Sequence, residues 1–168
     1  MIRFRFYYDP EKEEKFLNSM SAKGWAMKKF FLGFYTFERC SPGEYTYRID
    51  LISGKKDEEL IDYIELIRDS GAEYVQQWCG NWAYFRKKGD FELYTDTESL
   101  IAYYKRIRKF YLPFAIAEAL IAFGELGGYL SSHYSAYLFA FGLLLLLSVV
   151  FFLQAGIATR RIRALENR

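Results

Sequence analysis

Histidine, cysteine and proline are scarce in this chain of 168 residues, which has one, two and three of them respectively. The single histidine, His133, lies outside the charged N-terminal half, so that half has no imidazole for a catalytic triad, a proton relay or a zinc site. Neither of the glycine-rich motifs that hold phosphates or dinucleotides occurs. We therefore expect a protein that is not an enzyme and that uses no cofactor or metal.

The two cysteines, Cys40 and Cys79, are far apart and lack the spacing of metal-binding pairs. A cytoplasmic location would keep both of them reduced. We therefore interpret them as free thiols in or near strands.

Charged side chains are absent from Ser131 to Thr159, a stretch longer than the roughly 20 apolar residues that cross a bilayer. The preceding segment is equally apolar except for Glu118 and Glu125. Together the two segments predict a transmembrane hairpin that follows a soluble domain. The predicted parts are a cytoplasmic duplicated domain at 1–96, a basic juxtamembrane helix at 97–109, spans at 110–130 and 136–158, an extracytoplasmic loop at 131–135 and a basic tail at 159–168.

Basic residues flank both predicted spans on one side, whereas the connecting loop has none. By the positive-inside rule both termini lie in the cytoplasm, and the protein is a multi-pass protein of the cell membrane. The N-terminus has no apolar segment behind its charges, so we expect no cleavable signal peptide. The same cations are expected to contact membrane lipid, and no direct binding of nucleic acid is expected. These interface residues are Lys105, Arg106, Arg108, Lys109, Arg160 and Arg161.

One sequence pattern occurs twice, first at 21–39 and again 47 positions later at 68–86. The ungapped offset superposes Gly24 on Gly71 and Gly33 on Gly80. Around these glycines each copy reads strand, helix, strand, strand, with a glycine ending the helix and another in the hairpin turn. The repeat therefore predicts an α+β domain in which two such units share one sheet in two layers.

Local signals place the elements within each unit. Asp9 and Pro10 favour a helix start in the first unit, and we expect Asp57 to cap the helix of the second. The hairpin turns are predicted near Leu32 and Gly33 in the first copy and at Gly80 and Asn81 in the second.

Aromatic residues recur on the predicted hairpin strands of both copies. Two interpretations stay open for these residues: they face the core, or they line a cleft for a small hydrophobic ligand. The candidate cleft consists of Tyr35, Phe37, Trp82 and Tyr84.

Two carboxylates in the first predicted span, Glu118 and Glu125, are seven residues apart and so share one helix face. Such residues usually face protein or water. If the hairpin folds about His133, Ser148 of the second span comes level with Glu118, and we expect it to hydrogen-bond a protonated Glu118, with Glu125 wetted near the outer surface. Alternatives are docking on another subunit or a second copy, helped by Gly124-x-x-x-Gly128, or a carboxylate pair for proton or cation passage.

Three motifs carry a resemblance to a known family: "FYYDPEKEEKFLNSMSAKGW", "PGEYTYRIDL" and "WCGNWAYFRKKGDFELYTD". With these in order, the chain resembles the domain of unknown function 2812 family from about residue 4 to residue 109. The hairpin fits the membrane-anchored form of that family. The resemblance implies a Gram-positive bacterial protein, often encoded beside a PadR-like transcriptional regulator, with a regulatory role at the membrane. It transfers no catalytic or binding residues.

We therefore expect a membrane-anchored regulatory or sensor module that binds a protein partner, such as a PadR-like regulator, on the cytoplasmic side. One alternative is a module that captures a small hydrophobic ligand in the aromatic cleft. Another is an accessory subunit of a membrane transporter, recruited through the Glu118 face. A homo-oligomer is compatible with each of these.

Overall fold

A computed structural model describes residues 1–167 of the chain. It contains two compact units, one from Met1 to Thr95 and the other starting at Asp96. The first unit is the duplicated α+β domain, and the second is a helical hairpin. This confirms the predicted fold class.

Both copies of the repeat fold as strand, helix, strand, strand, as predicted. Because corresponding elements lie about 47 positions apart, the sequence repeat is also a structural one. The first copy consists of β1 (Ile2–Phe4), α1 (Pro10–Ser21), β2 (Trp25–Phe31) and β3 (Phe34–Arg39). The second copy consists of β4 (Tyr45–Leu51), α2 (Asp57–Asp69), β5 (Glu73–Trp78) and β6 (Trp82–Lys88).

The two helices of the domain begin differently. Asp9 caps α1 by accepting from the backbone N of Glu11 at 3.0 Å, and Pro10 is the first helical residue. The expected cap at Asp57 is wrong, because that residue is already helical and the capping position is held by Lys56. Asp57 instead adds negative charge to the first turn, where it interacts favourably with the helix dipole.

Both hairpins turn on two residues with positive φ; the loop has two residues in the first hairpin and three in the second. In the first hairpin these are Leu32 at +46° and Gly33 at +84°. In the second they are Cys79 at +49° and Gly80 at +69°, and Asn81 completes the loop between β5 and β6, which therefore contains the predicted Gly80 and Asn81.

The expectation of one shared sheet is wrong, because the domain has two three-stranded antiparallel sheets, ordered β1-β3-β2 and β4-β6-β5. Strands β2 and β5 lie side by side, but a side chain replaces the backbone ladder between them. The amide of Gln76 accepts from the backbone N of Phe30 at 2.7 Å and donates to its carbonyl at 3.0 Å. Each of these strands also has a bulge, between Met27 and Lys29 and between Tyr74 and Gln76, which breaks its regular spacing.

Helix α1 packs between the two repeats. Its apolar residues join a core cluster built from both sheets, and its polar residues bind the open edge of β4. Glu14, Asn18 and Ser21 accept from the backbone N of Ile49, Tyr47 and Tyr45 at 2.8, 2.6 and 3.1 Å. This protects an edge strand that would otherwise expose its backbone. The core cluster comprises Leu17, Met20, Met27, Tyr35, Phe37, Tyr47, Ile49 and Tyr84.

Helix α2 covers the other face of the second sheet. Its apolar residues pack against a second cluster that contains Ala83 and Phe85, whose side chains alternate with the inward-facing Tyr84. The helix residues in this contact are Leu60, Tyr63, Ile64 and Ile67.

The second unit consists of α3 (Thr97–Ser132) and α4 (Ser135–Glu166). The expected juxtamembrane helix and first span are therefore one helix, and the basic tail extends the last helix. His133 ends α3 in the left-handed conformation at φ +55°. Both helices are long and apolar enough to cross a membrane. Pro113 lies inside α3, a position that spanning helices tolerate.

Candidate functional site

The four aromatic residues predicted from the repeat lie in or against the core of the first unit. Tyr35, Phe37 and Tyr84 are 0, 3 and 2 % exposed, and Trp82 is partly buried against them. Phe30 lies between the repeats, with ring centroids 4.6 Å from Tyr35 and 5.8 Å from Tyr84. The rings therefore pack against one another as core residues.

A buried carboxylate joins two of these tyrosines. Oε1 of Glu13 accepts from the hydroxyls of Tyr35 at 2.7 Å and Tyr84 at 2.8 Å, and Glu13 is 8 % exposed. Sequence reasoning missed this residue, although Glu13, Leu17 and Met20 have the spacing of one helix face. The three side chains form a polar junction between the two repeats.

Burial dominates the electrostatics of this junction. It raises the pKa of Glu13, while the hydrogen bonds from Tyr35 and Tyr84 lower it by a smaller amount. Burial also raises the pKa of both tyrosines, and the neighbouring Glu13 raises them further. Both hydroxyls therefore keep their protons and remain donors to the carboxylate.

Glu14, the next residue of α1, is also largely buried. Burial raises its pKa from 4.5 to about 7, although the backbone N–H of Ile49 and the nearby Arg48 lower it. The guanidinium of Arg48 lies 3.9 Å from Glu14. The carboxylate that protects the β4 edge is therefore one that titrates near neutral pH.

A second carboxylate held by two tyrosines lies in the other repeat. Asp50 is 1 % exposed and accepts from the hydroxyls of Tyr63 at 2.7 Å and Tyr94 at 2.6 Å. These bonds tie β4 to α2 and to the segment after β6. Within residues 1–167, no three His, Cys, Asp or Glu side chains form a group that would hold a metal ion. Both thiols, Cys40 and Cys79, are free.

The two long helices meet through small buried residues. Oγ of Ser148 donates to the backbone carbonyl of Ala115 at 2.8 Å and not to the side chain of Glu118. The expected bond between Ser148 and Glu118 is therefore wrong. Oε2 of Glu118 is buried and has no hydrogen-bond partner among the described residues. The buried small residues are Ala115, Ala122, Ser148, Ala155 and Ala158.

The two predicted contact glycines, Gly124 and Gly128, have different surroundings in the hairpin. A Cβ at Gly128 would lie 3.0 Å from the ring of Tyr137, whereas a Cβ at Gly124 would meet nothing within 4 Å. Glu125 is half-buried. Sequence reasoning also missed Gln154, which is 3 % exposed and whose Nε2 has no partner among residues 1–167.

The predicted interface cations lie near the ends of α3 and α4, several of them beside tyrosines. The guanidinium of Arg161 lies 5.3 Å from the ring centre of Tyr104, and that of Arg106 lies 5.9 Å from Tyr103. Lys105 approaches Glu166 at 4.0 Å. The remaining predicted members are fully or partly exposed: Arg108, Lys109 and Arg160.

The outer surface of α2 is acidic with two exposed aliphatic residues. Six of its 13 residues are Asp or Glu, and Arg68 is its one basic residue. Ile61 is 55 % exposed and Leu66 is 65 % exposed. We refer to Ile61, Asp62, Glu65, Leu66 and Asp69 as the acidic helix surface.

Comparison with known proteins gives one finding about family. A family model described as "Protein of unknown function (DUF2812)" matches residues 9–116. Comparison with curated proteins and with solved structures gives no match.

Proposed function

The chain belongs to the DUF2812 family, and from its own residues we propose that it is a membrane-anchored regulatory or sensor module that binds a protein partner. The two long apolar helices are the anchor, and the duplicated domain is the binding part. We further propose that the protein lies in the cell membrane with both termini in the cytoplasm, because the cations flank the helices on one side. In this proposal the domain is a binder without catalytic activity.

The observation that carries the partner proposal is the acidic helix surface. Exposed Ile61 and Leu66 are the apolar contacts of a candidate interface, and the surrounding carboxylates would select a basic surface. A DNA-binding regulator has such a surface, which makes a transcriptional regulator the proposed class of partner. The acidic helix surface would then compete with DNA for the cations of that regulator.

The test is affinity purification of the full chain from native membranes, with a matched pair of variants. Ile61→Ser with Leu66→Ser changes the acidic helix surface, and Phe4→Ser with Phe34→Ser changes two equally exposed residues outside α2. We expect a DNA-binding protein to be recovered with the parent and with the second variant, and to be lost with the first. Equal recovery with both variants, or loss only with the second, would contradict the proposed interface.

Glu118 favours a second candidate function, that of an accessory subunit of a larger membrane protein such as a transporter. Its Oε2 lacks a partner among residues 1–167, and a helix of another subunit could supply one. The candidate predicts that Glu118→Gln retains assembly in a membrane pull-down, whereas Glu118→Leu weakens it. The same recovery for both variants would dismiss it.

A further inference from the structure

The two faces of the first sheet have different surroundings. Along β3, Tyr35 and Phe37 point into the core, so Phe34 between Gly33 and Tyr35 points to the opposite face. Phe34 pairs with Phe4 of β1 on one side and with Phe31 of β2 on the other. Cross-strand partners share a face, so three phenylalanines lie together on the outer face.

These side chains are exposed to an unusual degree for large apolar residues. Phe4, Phe31 and Phe34 are 59, 56 and 51 % exposed, and the rings of Phe4 and Phe34 lie 4.9 Å apart. Ile2 at 67 % and Leu32 at 61 % extend the same surface. A contiguous exposed apolar patch marks an interaction surface. We refer to Ile2, Phe4, Phe31, Leu32 and Phe34 as the aromatic face.

The second repeat shows how such a sheet face is normally covered. Ala83, which corresponds to Thr36 in the repeat, is 0 % exposed because α2 packs over that face of the second sheet. Helix α1 instead packs on the inner side of the first sheet, with Tyr35 and Phe37. The aromatic face therefore corresponds to the surface that α2 covers in the second repeat. In the first repeat α1 lies on the other side of the sheet and leaves this face uncovered.

Leu32 adds an independent observation. It occupies the first hairpin position with φ +46°, a conformation that favours Gly, Asn or Asp and costs a branched aliphatic residue free energy. At 61 % exposure the side chain does not compensate by packing in the core. The hairpin tip therefore exposes a large apolar side chain on a residue whose backbone conformation is unfavourable for leucine. Such unfavourable conformations are typical of functional positions.

Three exposed cations lie near the hairpin end of the aromatic face. Lys29 pairs with Thr36 on the face itself. Arg3 and Arg5 flank Phe4 on the edge strand; Arg3 pairs with Tyr35, so by alternation their side chains leave the other side of this strand, along the edge of the sheet. The acidic residue of β3, Glu38, lies at the other end of that strand and approaches Arg86 at 3.9 Å. Two copies joined through this face would bring like charges together, whereas an anionic surface would complement them.

We propose that the aromatic face rests on an anionic lipid surface, with its phenylalanines and Leu32 in the interfacial region and the neighbouring Lys29, Arg3 and Arg5 against lipid phosphates. Phenylalanine and leucine favour that region, and each cation near an anionic leaflet strengthens binding about fivefold. The inference rests on the proposed anchoring by the hairpin, which keeps the domain close to a bilayer. It does not depend on the partner proposed for the acidic helix surface.

The test uses the full chain reconstituted in nanodiscs of phosphatidylcholine alone, or with about one-third phosphatidylglycerol. Cys40→Ser and Cys79→Ser remove the native thiols, and an environment-sensitive fluorophore is attached at Leu32→Cys. Lys23→Cys provides the matched control, because Lys23 is exposed at the opposite end of the first repeat, between α1 and β2. Lipid contact is measured by the emission shift and by quenching with brominated lipid.

We expect the probe at position 32 to shift to the blue and to be quenched in the anionic discs, and the probe at position 23 to do neither. Arg3→Gln with Arg5→Gln should reduce the anionic-lipid effect at least by about half, whereas Lys15→Gln with Lys23→Gln, which removes the same charge elsewhere, should preserve it. These charge variants change exposed side chains and leave the core intact.

Three results would overturn the proposal. The first is the same emission at position 32 in both lipid compositions. The second is an effect that survives loss of Arg3 and Arg5. The third is a blue shift in detergent that grows with protein concentration, which would assign the face to a second copy. Stable reconstitution in each case would leave the proposed anchoring intact, so the two proposals fail separately.

Discussion

Gln76 makes both backbone hydrogen bonds of Phe30 with its side-chain amide, at 2.7 and 3.0 Å. One side chain of the second repeat thus satisfies a strand of the first, at the seam where the two sheets meet without a ladder. The duplicated domain is held together there by an amide and by surrounding rings.

Gln76→Ala should destabilise the domain by about 1–3 kcal/mol, because it leaves a partly buried N–H and C=O of Phe30 unpaired. The measurement is thermal unfolding followed by tryptophan fluorescence, which reports on Trp78 beside Phe30, with ring centroids 5.1 Å apart. Gln77→Ala, which removes the neighbouring amide, is the control and should have a smaller effect. Equal losses would show that the seam does not depend on this bond.

Tyr35→Phe and Tyr84→Phe should each destabilise the protein by about 1–3 kcal/mol, because each removes a donor from the buried carboxylate of Glu13. The two effects should not add, since both hydroxyls bind the same oxygen. A double-mutant cycle of unfolding free energies measures this coupling. Tyr8→Phe, at a residue that is 49 % exposed, provides the control with no expected loss.

Stability should depend on pH through Glu14. The folded-state pKa of about 7 lies above the ordinary 4.5, so the folded state binds the proton more tightly than the unfolded state. The contribution of Glu14 is complete below about pH 4.5 and is lost as the pH rises towards 7, by up to about 3 kcal/mol. Glu14→Gln keeps an acceptor for Ile49 and should flatten the slope of unfolding temperature between pH 5 and 7.5. An unchanged slope in that variant would contradict the assignment.

The contact between the long helices should depend on small residues. Ala115→Leu places a bulky side chain where Ala115 is 0 % exposed beside Ser148, so the hairpin should lose thermal stability in detergent. Ala117→Leu is the matched control, since Ala117 is exposed on the same helix. Ser148→Ala should cost about 0.6 kcal/mol, the usual value of such a bond between spanning helices. If both leucine variants were equally stable, the helices would not pack through this face.

The proposed orientation predicts thiol accessibility. A membrane-impermeant maleimide added to intact cells should fail to label the exposed Cys79 and should label it after permeabilisation. His133→Cys, in a background without Cys40 and Cys79, should be labelled in intact cells. The opposite pattern would place the termini outside.

Much of the fold followed from the sequence because its signals are local or periodic. Gly24 and Gly71 end the helices at φ +77° and +86°, and the 47-residue offset fixed the order of elements in both copies. The uncharged stretch after Ser131 likewise predicted the last helix.

The predictions that were wrong concern how the strands and helices contact one another. No local signal says that Gln76 would replace a backbone ladder, so the sheet was expected to be continuous. The hydroxyl of Ser148 can reach a backbone carbonyl as well as a side chain, and it donates to the carbonyl of Ala115 and not to Glu118. Glu13 was missed because a carboxylate near the start of a helix is usually a solvated residue that interacts with the dipole.

Helix α3 is an unbroken helix of 36 residues, about 54 Å long, of which a bilayer core needs roughly 30 Å. If α3 spans a bilayer, the rest of the helix extends beyond the bilayer core. Changes in bilayer thickness alter the tilt of spanning helices, and a tilt of about 10° moves the far end of such a rod by about 9 Å. A change in membrane thickness would in this way displace Thr97, the first residue of α3.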